Sequence, residues 1–554
     1  MKKTLAILLA LALALGIFAG CSSTTQPESE TGGESSGGAG VLRAMWTAQK
    51  GTDTIFESPA VDRQCLYPHM VFDRLISYEA DGSVGYRLAT DMTVSEDGLT
   101  YTFTLRDDAL WQDGEAFDAG DVAFTLWAYL ADPYGSYKSG LSYIEGASEV
   151  MENGAESLSG VSAEDGVVTI TLTSPYSLFV SDIAFTYILP EHLLGEVAAE
   201  ELSTNEDYWK KPIGLGQYMI DEVSFPDYCT LVAYEGYYGA QPGIAEVLLT
   251  SYATGGSDAV TNALTAGELD FAYGNEVNDI TVAETIASMN SDIAILESTS
   301  NYQRQFLFNF VESADGQLHP DLAIREVRQA INMLIDKQAI AELFGSNAAA
   351  LTTHLNPDSP MYDSSLPAFE RDVEGAKALL DAAGFDYNHE IRIAYYYTNQ
   401  TTIDAMDLVV QNLADAGITA SASLLSGDLG TLIYVDRNYD MLFCGEAADD
   451  PAQMYFYLLG VGGYFDDIVG DLETRRTLFN DVIDQYYATT DSAEQYELAC
   501  LLQSNGYDFC GISPVVAIKT LQLYNAANLS VPAGVFEVDW RTRDWRFEDW
   551  SLTA

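Results

Sequence analysis

Basic residues are few in this 554-residue chain: 25 Lys and Arg stand against 83 Asp and Glu, a formal charge of −58. Nucleic acid is therefore not expected as a partner, because phosphate binding needs a basic surface. A solvated surface that repels its own copies explains the acidity most simply, and a field that draws cationic ligands is the alternative. Cysteine is scarce too, at six residues without a CxxC, and the five histidines (His69, His192, His319, His354, His389) show no metal-ligand spacing. No metal site and no cofactor is expected. GxSxG, HExxH and GxxxxGK[ST] are missing, and no cysteine is visibly paired with a histidine. Among 83 acids some pair must fall at glycosidase distance by chance, so an enzyme is not expected either.

Long apolar runs are confined to the start. Met1-Lys2-Lys3 precedes an apolar stretch of 16 residues, Leu5 to Gly20, short for a permanent span and suited to a secretory signal. It closes as Ile17-Phe18-Ala19-Gly20-Cys21, which resembles a bacterial lipobox with Phe18 in place of the usual Leu. The resemblance implies a signal over 1–20 and lipid on Cys21, hence attachment to the outer face of the cell membrane. An ordinary signal cut before Cys21 is the alternative. Without Cys21, the set Cys65, Cys229, Cys444, Cys500 and Cys510 is odd, so at least one is free or pairs between molecules; Cys500 and Cys510 are the only close pair. Ser22 to Gly40 lacks large apolar residues and reads as a disordered tether over 21–40, reaching roughly 25 Å. The body, Val41 to Ala554, has no further run of eighteen apolar residues and is long enough for more than one domain.

The rest of the chain is organised around Asp97 to Leu130. Tyr101, Phe103 and Leu105 alternate with Thr100, Thr102, Thr104 and Arg106, which predicts a strand with one apolar face. Asp97-Gly98 and Asp113-Gly114 are turn dipeptides, and Met92 to Ser95 supplies a partner strand. Asp118 with Asp121 predicts a capped helix through Val122, Leu126 and Leu130. Together Leu88-Ala89, Ser95 to Arg106, Trp111-Gln-Asp-Gly114 and Ala119-Gly-Asp-Val122 resemble the shared motif of the oligopeptide, dipeptide and nickel-binding family of solute-binding lipoproteins that serve ABC importers. Pro212-Ile-Gly214-Leu-Gly216-Gln-Tyr218 resembles a turn of that family; as a nucleotide loop it lacks the third glycine. Tyr234 to Gly239, Pro242 and Leu264 to Asp270 match further segments in family order.

From Tyr302 the texture becomes alternating helix and strand. Ile324 to Ile335 form a helical stripe. Asp372 caps a helix closed by Gly384, Ile391 to Tyr397 reads as a strand, and a helix through Ile403 and Leu413 stops at Gly417. Pro514 to Tyr524 reads as strand-like. The family resemblance implies an α/β, two-lobed periplasmic-binding-protein-like fold of the large, cluster C type, with a β-rich subdomain at about 82–205. Lobe I is expected over 41–300, completed by 521–554, and lobe II over 301–520.

One stretch, Tyr439 to Pro451, resembles the family segment whose Asp holds the ammonium of a peptide ligand. Counting forward from Gly445 gives Asp449. Counting back from Pro451 gives Ala447, since the chain is two residues shorter there, and Glu446 replaces the family Trp. Asp449 is the expected anchor, with Glu446 as substitute. The structural alternative is that Asp449 and Asp450 only cap a turn or helix. Tyr302 and Asn309 are further candidates among residues that could line a ligand site, and some of the 34 tyrosines would suit its walls. The resemblance implies a monomeric binding component that captures di- or oligopeptides between the lobes and hands them to a membrane permease with its ATPase subunits. An oligosaccharide or metal chelate is the alternative solute, and a hydrolase or sensor lipoprotein the alternative class.

Overall fold

The computed structural model describes residues 40–46, 66–79, 83–133, 140–224, 226–252, 255–274, 277–298, 302–368, 370–448, 450–489, 491–537 and 544–553. The expected signal, the tether up to residue 39, Cys21, Cys65 and Asp449 lie outside the described residues.

The Asp97 to Leu130 segment forms a hairpin, a turn and a capped helix. Ala89–Val94 pairs antiparallel with Thr100–Leu105, which pairs in turn with Val167–Thr171, and Val161–Glu164 completes a four-stranded sheet. Tyr101, Phe103 and Leu105 are buried. Helix Ala119–Ala131 begins in a capping box: Asp118 accepts from Gly120 N at 2.7 Å, and Asp121 accepts from Asp118 N at 3.1 Å. Asp121 also accepts from the Trp111 indole at 3.1 Å and from Glu191 N at 2.9 Å, so one carboxylate joins cap, turn and a distant loop. Gln112, from the same turn, reaches Tyr218 O at 2.7 Å and accepts from Gly214 N at 3.1 Å. A Cβ at Gly214 or Gly216 would strike the backbone carbonyls of Val71 or Met70. The Gly-x-Gly is thus a close backbone crossing that holds the scaffold together.

A seven-stranded sheet carries the first core, in spatial order Ile293–Ser298, Thr520–Asn525, Phe271–Ala272, Val41–Trp46, Glu246–Ser251, Tyr228–Ala233 and Tyr218–Ser224. Val41–Trp46 lies between parallel neighbours, and Arg43 fixes it there by donating to Asp270 at 2.6 and 2.8 Å and to Gly267 O at 2.7 Å. Gly267 ends helix Gly256–Ala266 at φ 70°, the left-handed conformation glycine adopts without strain.

The second core is built on a six-stranded sheet, in the order Ala348–Ala350, Ile512–Ile518, Gln303–Phe308, Met441–Glu446, Ile391–Tyr395 and Ala420–Leu424. Helices Arg325–Leu334, Lys337–Phe344, Val373–Ala383 and Gln400–Asp415 bury their apolar stripes on one face. Pro451–Leu459, Asp481–Ala488 and Ser492–Phe509 cover the other. The protein therefore has two α/β lobes. The strand-like stretch 514–524 is two strands in different sheets, parted at Lys519. Both halves are apolar and buried, so alternation alone gave no sign of the change of sheet. Among the described residues no helix is long and apolar enough to cross a membrane.

Candidate functional site

The chain passes between the sheets twice. It leaves the first after Ser298 and enters the second at Gln303; it returns between Ile518 and Thr520. Ser298 pairs with Thr520, and Ile518 N donates to Tyr302 O at 3.2 Å. The crossover end of the six-stranded sheet is also where the parallel strands Ile391–Tyr395 and Met441–Glu446 have their carboxyl ends, the side on which α/β sheets usually bind ligands.

Tyrosines crowd that end. Tyr302 and Tyr397 share a hydroxyl hydrogen bond of 2.9 Å, and Tyr397 donates to Tyr396 at 3.1 Å. The Arg304 guanidinium carbon sits 3.2 Å from the Tyr397 ring centroid and 5.1 Å from that of Tyr302. Gly445, opposite Arg304 on the next strand, leaves the room these hydroxyls occupy; a Cβ there would collide with both, at 2.6 Å from Tyr397 Oη. Beyond it Glu446 is half-buried, with Oε1 accepting from Ala447 N at 3.0 Å.

Asp450 lies at the foot of helix Pro451–Leu459. Its Oδ1 accepts from Ala452 N at 2.7 Å and Gln453 N at 3.1 Å, while the Tyr487 hydroxyl stands 3.5 Å from Oδ2. Burial raises this carboxyl to about 7; the capping bonds oppose the shift and Asp182, from the other lobe, adds to it. The lobes touch here. Tyr176 packs on Tyr487 at 5.0 Å and stacks on Tyr143 at 4.4 Å, and Ser177 N donates to Tyr487 O at 3.2 Å. Tyr457 and Tyr464 stack nearby on the second lobe at 4.5 Å.

Residues 83–465 match the family described as bacterial extracellular solute-binding proteins, family 5 Middle. The chain belongs to that family. A similar relative is the nickel-binding periplasmic protein of Escherichia coli K12, 29% identical over 324 residues; the match takes in 57% of this chain and 56% of that one, so just over half of the relative's length is spanned. The solved structure of the ABC transporter substrate-binding protein CtaP from Listeria monocytogenes is 20% identical, with a TM-score of 0.77 over 93% of this chain and 99% of that one. The oligopeptide-binding protein AppA of Bacillus subtilis, solved with a nonapeptide, is 18% identical with a TM-score of 0.69 over 93% and 99%. These two likenesses show a shared fold.

In this family 5 protein, two of the residues singled out in the sequence, Tyr302 and Glu446, come together at the crossover end. Asn309 sits elsewhere. It is fully buried, and its amide donates to the carbonyls of Glu312, Arg437 and Tyr439 at 2.9–3.1 Å, so it ties loops together. Asp449 lies outside the described residues, and its neighbour Asp450 does cap the helix. Arg304, Tyr396 and Tyr397 were missed. An arginine set between glutamines in an acidic chain, and the run Tyr395-Tyr396-Tyr397 at a strand end, were the signals available. Cys229, Cys444, Cys500 and Cys510 are free thiols. Buried histidines pack within the scaffold: His319 stacks on Phe385 at 4.6 Å, and burial holds His354 down to about 3, hence neutral. Among the described residues no group of three or more His, Cys, Asp or Glu converges as a metal site.

Proposed function

We propose that this chain is the extracytoplasmic solute-binding component of an ABC importer and that its solutes are di- and oligopeptides. The observation that carries this is the crossover rim. Tyr302, Tyr396 and Tyr397 surround a cation there, while Glu446, next to Gly445, and Asp450, at the foot of the following helix, bring carboxylates. A zwitterionic chain needs both signs of charge, and amphipathic tyrosines tolerate varied side chains. On this reading lobe I comprises 41–300 and 521–554, with its β-rich part at about 82–205, and lobe II comprises 301–520. The solute is enclosed by hinge closure, and the Tyr176–Tyr487 contact belongs to the closed form. Lipid on Cys21 and the tether over 21–40 keep a single copy at the outer face of the cell membrane, where it docks on the permease with its ATPase subunits. No bond is made or broken. Asp449, next to Asp450, is the ammonium anchor of this reading, with Glu446 as its substitute.

A chelated metal is the second reading, favoured by the relative named for nickel binding. Mass spectrometry of what the purified protein releases on denaturation separates the two. A ladder of short peptides is expected; a metal chelate or a sugar would sink the peptide assignment.

A further inference from the structure

Arg304 is an unusual cation for this protein. Other arginines meet acceptors within the fold: Arg43 meets Asp270, Arg87 meets Asp73 and Asp544, and Arg392 meets Asp440. Arg328 donates its guanidinium to the carbonyls of Leu322, Phe509 and Cys510. Arg304 does neither. Its Nε and Nη1 are buried and meet no acceptor among the described residues. What surrounds it is aromatic: Tyr397 beneath the guanidinium at 3.2 Å and Tyr302 at 5.1 Å, with their hydroxyls turned to each other.

Leaving charged donors buried without acceptors costs free energy that a folded chain normally avoids. In a chain with 83 acids an acidic neighbour would have been easy to supply. Stacking over a ring face holds a guanidinium by cation–π attraction and leaves its N–H edge free for a planar, two-pronged acceptor. Gly445 is part of the arrangement, since any side chain there would displace the two tyrosine hydroxyls. The site stands at the carboxyl ends of two parallel strands and beside both crossovers. Burial also lowers the pKa of Arg304, as expected for a cation that lacks a counter-charge.

We propose that Arg304 is the carboxylate receptor of the cleft: its guanidinium, held on the Tyr397 ring, binds a carboxylate group of the enclosed solute in a two-pronged, charge-assisted contact. This rests on reading the cleft as a peptide site and adds which end or side chain of the peptide is held there. The carboxylate is either the C-terminus of the peptide or an Asp or Glu side chain.

The test is calorimetric titration of the full chain with a pooled tripeptide library in two forms, free acid and C-terminal amide, repeated on Arg304→Gln and Arg304→Lys. The wild type is expected to bind the acids at least about 30-fold more tightly than the amides, the loss typical when a buried charge pair is broken. Arg304→Gln should bind both pools at the weak level and cease to distinguish them, with Arg304→Lys in between. Amides that bind tightly only when they contain Asp or Glu would support the proposal with the side chain as the source. Equal binding of both pools by the wild type, irrespective of Asp or Glu content, overturns the assignment of Arg304 and leaves the peptide reading standing. Binding of neither pool overturns the peptide reading and this inference with it. Should Arg304→Gln not fold, Arg304→Lys carries the test: a narrowed acid–amide gap supports the assignment, and a gap equal to that of the wild type overturns it.

Discussion

Asp73 in the first lobe and Arg304 in the second are both charged groups set among tyrosines, and their surroundings differ in one respect. Asp73 is fully engaged. Its two oxygens accept from Arg74 N at 2.8 Å, from Arg87 at 2.8 and 3.1 Å, and from the Tyr237 and Tyr238 hydroxyls at 3.2 and 2.7 Å. Arg304 has tyrosine rings and, among the described residues, no protein acceptor for Nε or Nη1. A closed network of this kind fixes a scaffold, because each member is satisfied before any ligand arrives. An open one stores unsatisfied hydrogen-bonding capacity at the place where a solute would use it. The same residue types therefore do opposite work, and the difference lies in the partners.

The largest expected effect comes from opening the closed network. Asp73→Ala leaves Arg87 with Asp544 as its acidic partner and takes the carboxylate acceptor from two phenols, and should cost about 3–5 kcal/mol of stability, read as a lower midpoint in urea unfolding. A loss under ~1 kcal/mol would erase the distinction between the two regions. Asp450 is an intermediate case: one oxygen accepts both capping bonds, and the other meets the Tyr487 hydroxyl at 3.5 Å. Its folded pKa of about 7 lies above the ordinary Asp value, so the native state holds the proton more tightly than the unfolded chain. Its contribution is whole below about pH 4 and is lost as the pH rises through 7, with a slope of up to ~1.4 kcal/mol per pH unit. Asp450→Asn should flatten that slope in thermal unfolding from about pH 4 to 8; an unchanged profile would mean that Asp450 is not the titrating group.

Arg304→Gln should reverse the pattern of Asp73. Stability is expected to hold within about 1 kcal/mol, while binding of acid-form peptides falls about 30-fold, equivalent to ~2 kcal/mol. A loss of several kcal/mol of stability with unchanged peptide affinity would place Arg304 in the scaffold after all. Gly445→Ala is the mildest change. Its methyl would press on Tyr302 and Tyr397 and should cost about 1 kcal/mol of stability, with a weaker binding enthalpy as the tyrosines shift.

The two regions also differed in how legible they were. The hairpin, turn and capped helix from Asp97 to Leu130 could be read because their determinants are local: alternation, Asp-Gly turns, and an Asp three residues from an Asp. Arg304, Tyr397 and Gly445 sit on or beside three strands, about 140 residues apart at the extremes, and only the sheet order makes them neighbours. Nothing along the chain marks Arg304 as lacking an acceptor, since that depends on every group that packs around it. Asn309 shows the converse. A polar residue at the start of the second lobe resembled a ligand contact, and its amide is consumed by three backbone carbonyls. Asp450 was ambiguous for a third reason: a helix cap and a ligand carboxylate have the same sequence signature ahead of a proline.

Capture without chemistry is the central claim. The most direct measurement is a thermal-unfolding series with rising concentrations of the tripeptide pool, joined to mass spectrometry of the recovered peptides. The midpoint is expected to climb with the logarithm of peptide concentration, as binding to the native state alone requires, and the peptides to be recovered intact. Peptides recovered as shorter fragments, or a midpoint that stays fixed across the series, would contradict it.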